Sequence, residues 1–233
     1  MNKNDFLSHL KLRGINCSDA QYDELIKYMD SVLLTNEQFN LTAITNKEEF
    51  LEKMIFDSAL ASIGNDFTNK KVIDVGTGAG FPGMVLYILN PLMELTFLDS
   101  TQKKINYILS YGENNNYKYN GVSLRAEDFA KLHREEFDFA TARAVAPLNI
   151  LLELIVPMLK VGGTFIALKG PGYDEEIKAC GKVFKKLNCH VQKVYEDSLP
   201  NCNDKRSIVY IIKDKPTQKK YPREYNEIKR LPL

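Results

Sequence analysis

Tryptophan is absent from this 233-residue chain, which has only four cysteines and three histidines. Cys17, Cys180, Cys189 and Cys202 lie far apart and form no CxxC pair, and His9, His133 and His190 are equally scattered. Neither a zinc site nor a disulfide framework is expected, so no metal enters the reading. Reduced thiols fit a cytoplasmic protein. Long apolar runs are also missing. None approaches the roughly 18 residues that a membrane span needs, and the opening MNKNDFLSHLKLRG has no apolar core followed by a cleavage site. Membrane insertion and secretion are poor readings. An excess of one charge is lacking too, with 31 Lys+Arg against 30 Asp+Glu. What remains is ordinary for a chain that buries a real core: 44% hydrophobic and 26% charged residues. At about 150 residues per domain, one domain with an extension or two small domains would fit.

The balanced total hides a division. Residues 1–66 carry 6 basic and 11 acidic side chains, a net of −5, which leaves +6 for the remainder. The stretch from Lys213 to Leu233 holds seven basic residues against Asp214, Glu224 and Glu227. A polyanionic partner for the second part is one reading of this asymmetry, and a solvated basic surface is the plainer one.

Residues 1–66 read as a helical region. Ser18 with Gln21 forms a capping box, and Tyr22, Leu25, Ile26, Met29, Leu33 and Phe39 recur behind it at helical spacing. Thr45 with Glu48 repeats the signal ahead of a helix whose apolar face holds Phe50, Leu51, Met54, Ile55 and Leu60. From residue 67 to 214 the texture alternates. Strands are expected at Val72–Val75, Leu95–Leu98, Val122–Leu124, Phe137–Thr141 and Thr164–Leu168. Helices are expected after Pro82, over Gln102–Glu113, over Leu148–Leu159 and over Tyr173–Leu187. Val191–Tyr195 and Ser207–Ile212 follow without a helix between them, which suggests an antiparallel pair at the sheet edge. The pattern is that of an α/β domain, a parallel sheet covered by helices on both faces. Residues 215–233, with Pro216, Pro222 and Pro232, read as an extended basic tail.

The informative stretch is Val72-Ile-Asp-Val-Gly-Thr-Gly-Ala-Gly-Phe-Pro-Gly83. A strand turning sharply into a helix needs glycine where φ is positive or where a ligand meets the backbone, and Gly76, Gly78 and Gly80 supply it. Asp99 comes 23 residues after Gly76, at the end of the next strand, where a carboxylate can take the hydroxyls of a ribose. Gly78, Gly80 and Gly83 literally satisfy the dinucleotide GxGxxG, which keeps an NAD-type oxidoreductase in play. Pro82 inside that motif, and glycines beginning two residues after Asp74, argue against it. Asp74-x-Gly76-x-Gly78-x-Gly80 instead resembles the first motif of class I S-adenosylmethionine methyltransferases. In that family the loop bends around the amino-acid part of the cofactor, and an acid at the Asp74 position helps hold its amino end. Arg125-Ala126-Glu127-Asp128 follows a strand where these enzymes place residues around adenine; a helix cap or a surface acid is the plain alternative. Arg143, after the fourth strand, is placed to build the cofactor or substrate pocket, or else forms a structural ion pair at the sheet edge.

Seven segments in one order narrow the resemblance. They are Asn40-Leu-Thr-Ala-Ile-Thr45, Lys53-Met-Ile-Phe-Asp-Ser58, Asp74 to Gly83, Arg125-Ala-Glu-Asp128, Arg143-Ala-Val-Ala146, Ala167-Leu-Lys-Gly170 and Tyr221-Pro-Arg223. From about Asn40 to the C-terminus the chain resembles the bacterial RsmG (GidB) family of small-subunit rRNA guanine-N7 methyltransferases. The resemblance implies a Rossmann-like seven-stranded sheet with its last strand antiparallel and an N-terminal helical extension. It also implies S-adenosyl-L-methionine as cofactor and guanine 527 in the 530 loop of 16S rRNA as acceptor. Cofactor contacts carry over to Gly76, Phe81, Ala126, Glu127 and Arg143, with Gly78 and Gly80 in the bend and Asp99 as ribose partner. Two departures stand out. The family commonly has His where Met54 stands, and its glycine-rich tail after Tyr-Pro-Arg is here Glu224-Tyr-Asn226.

Guanine N7 carries an in-plane lone pair, so its methylation needs alignment rather than an acid–base pair or a covalent intermediate. No catalytic residue is therefore assigned. Arg143 and Lys169, at successive strand ends, are candidates for positioning the substrate, and Arg206 and Arg223 for contacting phosphate. The missing [Asp/Asn]-Pro-Pro-aromatic and Pro-Cys motifs fit, since amino-directed and carbon-5 enzymes use them. A monomer is expected, without a long heptad or an apolar edge. Besides the oxidoreductase, a non-catalytic RNA-binding module on the same fold is the remaining alternative.

Overall fold

The computed structural model describes residues Met1–Leu233. Helix α1 (Lys3–Leu12) is capped by Asn2, and α2 (Asp19–Asn36) by the full Ser18–Gln21 box. The next helix is capped one residue later than Thr45 would place it: the Asn46 side chain accepts from the Glu49 amide. It starts as α3 (Lys47–Phe50), widens to a π-helical turn over Leu51–Phe56, and ends as α4 (Asp57–Ala59) and a 3-10 turn. π-turns of this kind are frequent at functional sites.

From Lys71 strands and helices alternate. They run β1 (Lys71–Val75), α5 (Gly83–Leu89), β2 (Glu94–Asp99), α6 (Gln102–Asn114), β3 (Asn120–Ser123), α7 (Ala126–Leu132), β4 (Phe137–Arg143), α8 (Leu148–Ile155) and β5 (Leu159–Lys169). Helices α9 (Tyr173–Ala179) and α10 (Gly181–Leu187) lead to β6 (Cys189–Ser198) and β7 (Lys205–Lys213). The sheet order is β3-β2-β1-β4-β5-β7-β6, parallel except where β7 runs against β5 and β6. Pro82 takes the cap position rather than the first turn of α5. Two helical expectations need correction. Leu148–Leu159 stops at Ile155 because Pro157 lacks an amide donor, and Leu159 already belongs to β5. Tyr173–Leu187 is broken at Cys180, whose ψ of 4° leaves the helical range.

Period-two alternation assigns each strand residue to a face. Val72, Leu95, Phe97, Ile166, Leu168, Ile208 and Tyr210 join a core with α1 to α6. Ile73, Val75, Leu98, Phe165, Ala167, Val209 and Ile211 join a second core with α7, α8 and α10. The N-terminal helices thus share a core with one face of the sheet.

The tail is the third correction. It contains α11 (Tyr225–Arg230), whose Ile228 is fully buried in the second core. The Arg134 guanidinium donates to the carbonyls of Thr217 (2.9 Å) and Tyr221 (2.5 Å), and Arg223 holds the buried Glu153 through two nitrogens. Proline spacing signals extended chain but cannot reveal these anchors.

Candidate functional site

The strand order reverses between β1 and β4, and ligands of open α/β sheets sit beyond the carboxyl ends of strands at such a point. Here β1 runs into the glycine bend. Gly76, Gly78 and Gly80 all have positive φ (68°, 60° and 87°). At Gly76 there is no room besides: a Cβ would sit 2.5 Å from Val145 Cγ2. The bend is tied to β2, with the Gly76 and Thr77 amides donating to Leu98 O at 2.8 and 3.1 Å. The Gly78 amide donates to Asp99 Oδ2 at 3.0 Å, and Thr101 N to Asp99 Oδ1 at 2.9 Å. From the other side, the Tyr28 hydroxyl of α2 donates to Ala79 O at 2.5 Å, and Phe81 packs on Tyr28 and Phe50 with centroids 5.5 Å away in each case.

Asp74, the acid expected at the cofactor's amino end, is enclosed by the bend itself. It has no exposed surface. Its Oδ2 accepts from Thr77 Oγ1 (2.5 Å) and Gly83 N (3.0 Å), and its Oδ1 accepts from Thr141 Oγ1 (2.8 Å). Thr141 is its register partner on β4, so both side chains stand on one face of the sheet. Burial drives this carboxyl above its ordinary pKa against the pull of those donors. Asp74 is the internal staple of the bend.

Two cavities lie over these strand ends. The larger, about 650 Å³, includes Met54, Asp57, Gly76, Phe81, Lys169 and Arg206 in its wall. The smaller, about 340 Å³, includes Leu98, Asp99, Ala126, Glu127 and Tyr225. Gly76, Lys104 and Ala144 line both, so the two meet there. Ala144 is itself left-handed (φ 54°), an uncommon conformation for a residue with a Cβ and one that clusters at functional sites.

At the far end of the smaller cavity Glu127 is buried on the first turn of α7. Its Oε1 accepts from Arg125 Nε at 3.1 Å, and its Oε2 is buried without any partner. A buried acceptor left open is costly unless a ligand donor fills it.

In the larger cavity Arg143 sits at the end of β4, in the middle of the sheet rather than at its edge. Its Nη1 donates to Lys53 O (3.0 Å), its Nη2 to Met54 Sδ (3.0 Å), and its guanidinium lies 5.6 Å over Phe81. Asp57 stands between two arginines, with Arg143 Nη1 at 3.5 Å and Arg206 Nε at 3.2 Å. Burial raises the Asp57 carboxyl and lowers the Arg143 guanidinium, each against the attraction of the other. Arg143 therefore is both a pocket wall and an ion pair. The π-turn brings Met54 and Asp57 to it, so Met54 serves as acceptor for Arg143. Lys169 donates to Glu176 (2.8 Å) and Ala146 O (3.1 Å) at the cavity wall. Arg223, a candidate for contacting phosphate, is ion-paired with Glu153 and Glu227. Asp57, Thr141, Ala144 and Tyr225 were not singled out from sequence. Asp57 and Ala144 carried a signal, their places inside Lys53-Met-Ile-Phe-Asp-Ser58 and Arg143-Ala-Val-Ala146.

The reversed β7, the bend at the β1–β4 switch and the cleft beyond it define a class I, Rossmann-like methyltransferase fold. Solved structures agree at the level of fold. A predicted O-methyltransferase from Agrobacterium tumefaciens superposes with a TM-score of 0.54 at 19% identity over 70% of this chain and 82% of its own. A SAM dependent methyltransferase from Aquifex aeolicus gives 0.50 at 18% over 71% and 93%. Sequence comparison narrows this class to one family. The family model for GidB, rRNA small subunit methyltransferase G, matches residues 21–209. The Ribosomal RNA small subunit methyltransferase G of Halalkalibacterium halodurans is 40% identical over 235 residues, 98% of each chain. The chain belongs to the rRNA small subunit methyltransferase G family.

Proposed function

We propose that this enzyme transfers a methyl group from S-adenosyl-L-methionine to N7 of guanine 527 in the 530 loop of 16S rRNA, acting as a cytoplasmic monomer without a metal. The observation that carries the cofactor reading is the unfilled Oε2 of buried Glu127, in the same cavity as the β2-terminal acid Asp99. That acceptor suits the exocyclic amino group of adenine. Gly76 lines both cavities and admits no side chain, since a Cβ there would lie 2.5 Å from Val145 Cγ2. An NAD-type dinucleotide finds less support, because the larger cavity continues into Arg143, Lys169 and Arg206, a cationic wall suited to RNA.

The cofactor, when bound, supplies an electrophilic sulfonium methyl. Glu127 and Asp99 bind and orient its nucleoside, and Ala126 with Leu98 flanks it. Gly76, Gly78 and Gly80 hold the bend open, while Phe81 supports it from the core. Arg143, fixed by Lys53 O, Met54 Sδ and Asp57, is stiff enough to set where a base or phosphate rests. Lys169 and Arg206 extend that wall. No side chain has to remove a proton, because N7 attacks through its own lone pair, and the rate gain comes from alignment.

Radiolabelled methyl groups should appear on small-subunit particles or their rRNA, with chain cleavage specific for N7-methylguanine mapping to position 527. Label on no bacterial RNA would reject the activity, and label at another base would reject the position. Gly76→Arg should abolish S-adenosylhomocysteine binding in calorimetry; unchanged affinity would remove the bend from the site.

A further inference from the structure

The C-terminal segment reaches the nucleobase end of the cleft. Tyr225, the first residue of α11, lines the smaller cavity together with Leu98, Arg125, Ala126 and Glu127. It comes 71 residues after Leu154, the lining residue that precedes it in the chain, and three anchors hold it there. On its N-terminal side Arg223 donates to both oxygens of fully buried Glu153, at 2.8 Å to Oε1 and 2.7 Å to Oε2. Glu224 pairs with Lys131 of α7. On its C-terminal side Ile228 is fully buried in the second core. Such anchoring fixes the backbone of residues 223–228 and so the origin of the Tyr225 ring.

The ring is held from its face as well. The Arg125 guanidinium lies 4.3 Å from the Tyr225 centroid, a cation–π contact. The same guanidinium donates through Nε to Glu127 Oε1 at 3.1 Å. Arg125 thus connects the tail to the carboxylate whose other oxygen is open. An aromatic wall beside one unfilled buried acceptor is a combination suited to a flat heterocycle with an exocyclic amino group.

We propose that Tyr225 is a wall of the adenine subsite, and that through Arg125 it fixes the orientation of Glu127. This rests on the cofactor assignment above. Binding of an adenine nucleoside then also stabilises the docked tail, since ring and base cover one another. The contact is made by the aromatic face, so the phenolic hydroxyl contributes little and Phe should serve as well as Tyr.

Calorimetry with S-adenosylhomocysteine tests this on the full-length protein. Tyr225→Ala should weaken binding about five- to twentyfold, in keeping with an aromatic contact of this kind, whereas Tyr225→Phe should stay within twofold. Arg125→Ala should also weaken binding, and the double variant should be no worse than about the weaker single one, because both act through one unit. Amide hydrogen exchange supplies a readout independent of any substitution: adding S-adenosylhomocysteine to wild type should slow exchange across residues 224–230. An alanine variant that binds like wild type, or a tail whose exchange ignores the ligand, overturns the proposal. If Tyr225→Ala lowers the melting temperature of the free protein, the Phe variant and the exchange result decide. Failure of wild type to bind the ligand at all would instead strike the cofactor assignment.

Discussion

Removing the Asp74 carboxylate separates a residue that holds the bend from one that holds the ligand. Three donors converge on it: the Thr77 and Thr141 hydroxyls and the Gly83 amide. Thr77 and Thr141 are buried, and the Gly83 amide opens the buried helix α5. In Asp74→Ala each donor loses its acceptor at a cost of about 1–3 kcal/mol. The hydroxyls can rotate toward other oxygens, whereas the amide cannot. The carboxylate is itself penalised by burial, as its raised pKa records, and deleting it returns part of the loss. A net destabilisation of about 3 kcal/mol follows. For a chain of this size that corresponds to about 6–12 °C in melting temperature. Asp74→Asn keeps one acceptor and should lose about half as much. Urea unfolding followed by far-UV circular dichroism measures the difference, and S-adenosylhomocysteine affinity should fall in step with stability. An Ala variant as stable as wild type that nevertheless fails to bind the ligand would refute the reasoning, because the carboxylate would then serve the ligand directly.

Asp57→Asn should raise KM for small-subunit rRNA about five- to tenfold, roughly 1–1.4 kcal/mol, because Arg206 keeps only its longer pair with Asp204 while Arg143 keeps Lys53 O and Met54. Wild-type KM should climb as acidification passes the raised Asp57 value and the Asn variant's should stay flat; an unchanged KM would show that the pair positions nothing. Asp197→Asn tests the tie between α1 and β6. Burial pushes that carboxyl up, but Arg13, the Ser198 amide and Tyr195 outweigh it, so its folded value lies below the usual range. Its stabilisation is therefore complete above the unfolded value near 4 and lost as pH falls through the folded one. Urea melts should show the variant about 1–2 kcal/mol weaker at pH 6, between a surface and a buried pair. The gap should close toward pH 2, and a gap independent of pH would exclude the ion pair as its cause.

Most of the sheet was legible because its residues obey a local rule. Ile73, Val75, Leu98, Phe165 and Ala167 alternate with neighbours that enter the opposite core, and a β-branched run between glycines marks where a strand stops. Helix ends that depend on a side chain choosing between adjacent residues were not legible to the residue. Thr45 and Asn46 are both capable caps, and only the path of the chain into α3 selects Asn46. The break at Cys180 stands directly before Gly181, a poor helix former, and Cys180 itself is completely buried in the second core.

The site divides along the same line. Gly76, Gly78, Gly80 and Asp99 announce themselves because bend and acid are close in sequence and each residue type has a backbone reason to be there. Their partners arrive from elsewhere. Thr141 is 67 residues from Asp74, Arg143 is 86 from Asp57, and Arg206 is 149 from the same carboxylate. No spacing rule joins such residues, because sheet register and the π-turn bring them together. Read singly, the charged side chains of Asp74 and Arg223 belong to solvent. Each is instead the partner of buried donors or acceptors that the fold had to satisfy. Glu127 is the converse. It too is buried, yet one oxygen has no partner within the protein. An unsatisfied acceptor in a cavity wall, in a chain that satisfies Asp74 through three donors, is the group that the proposed adenine amino group would meet.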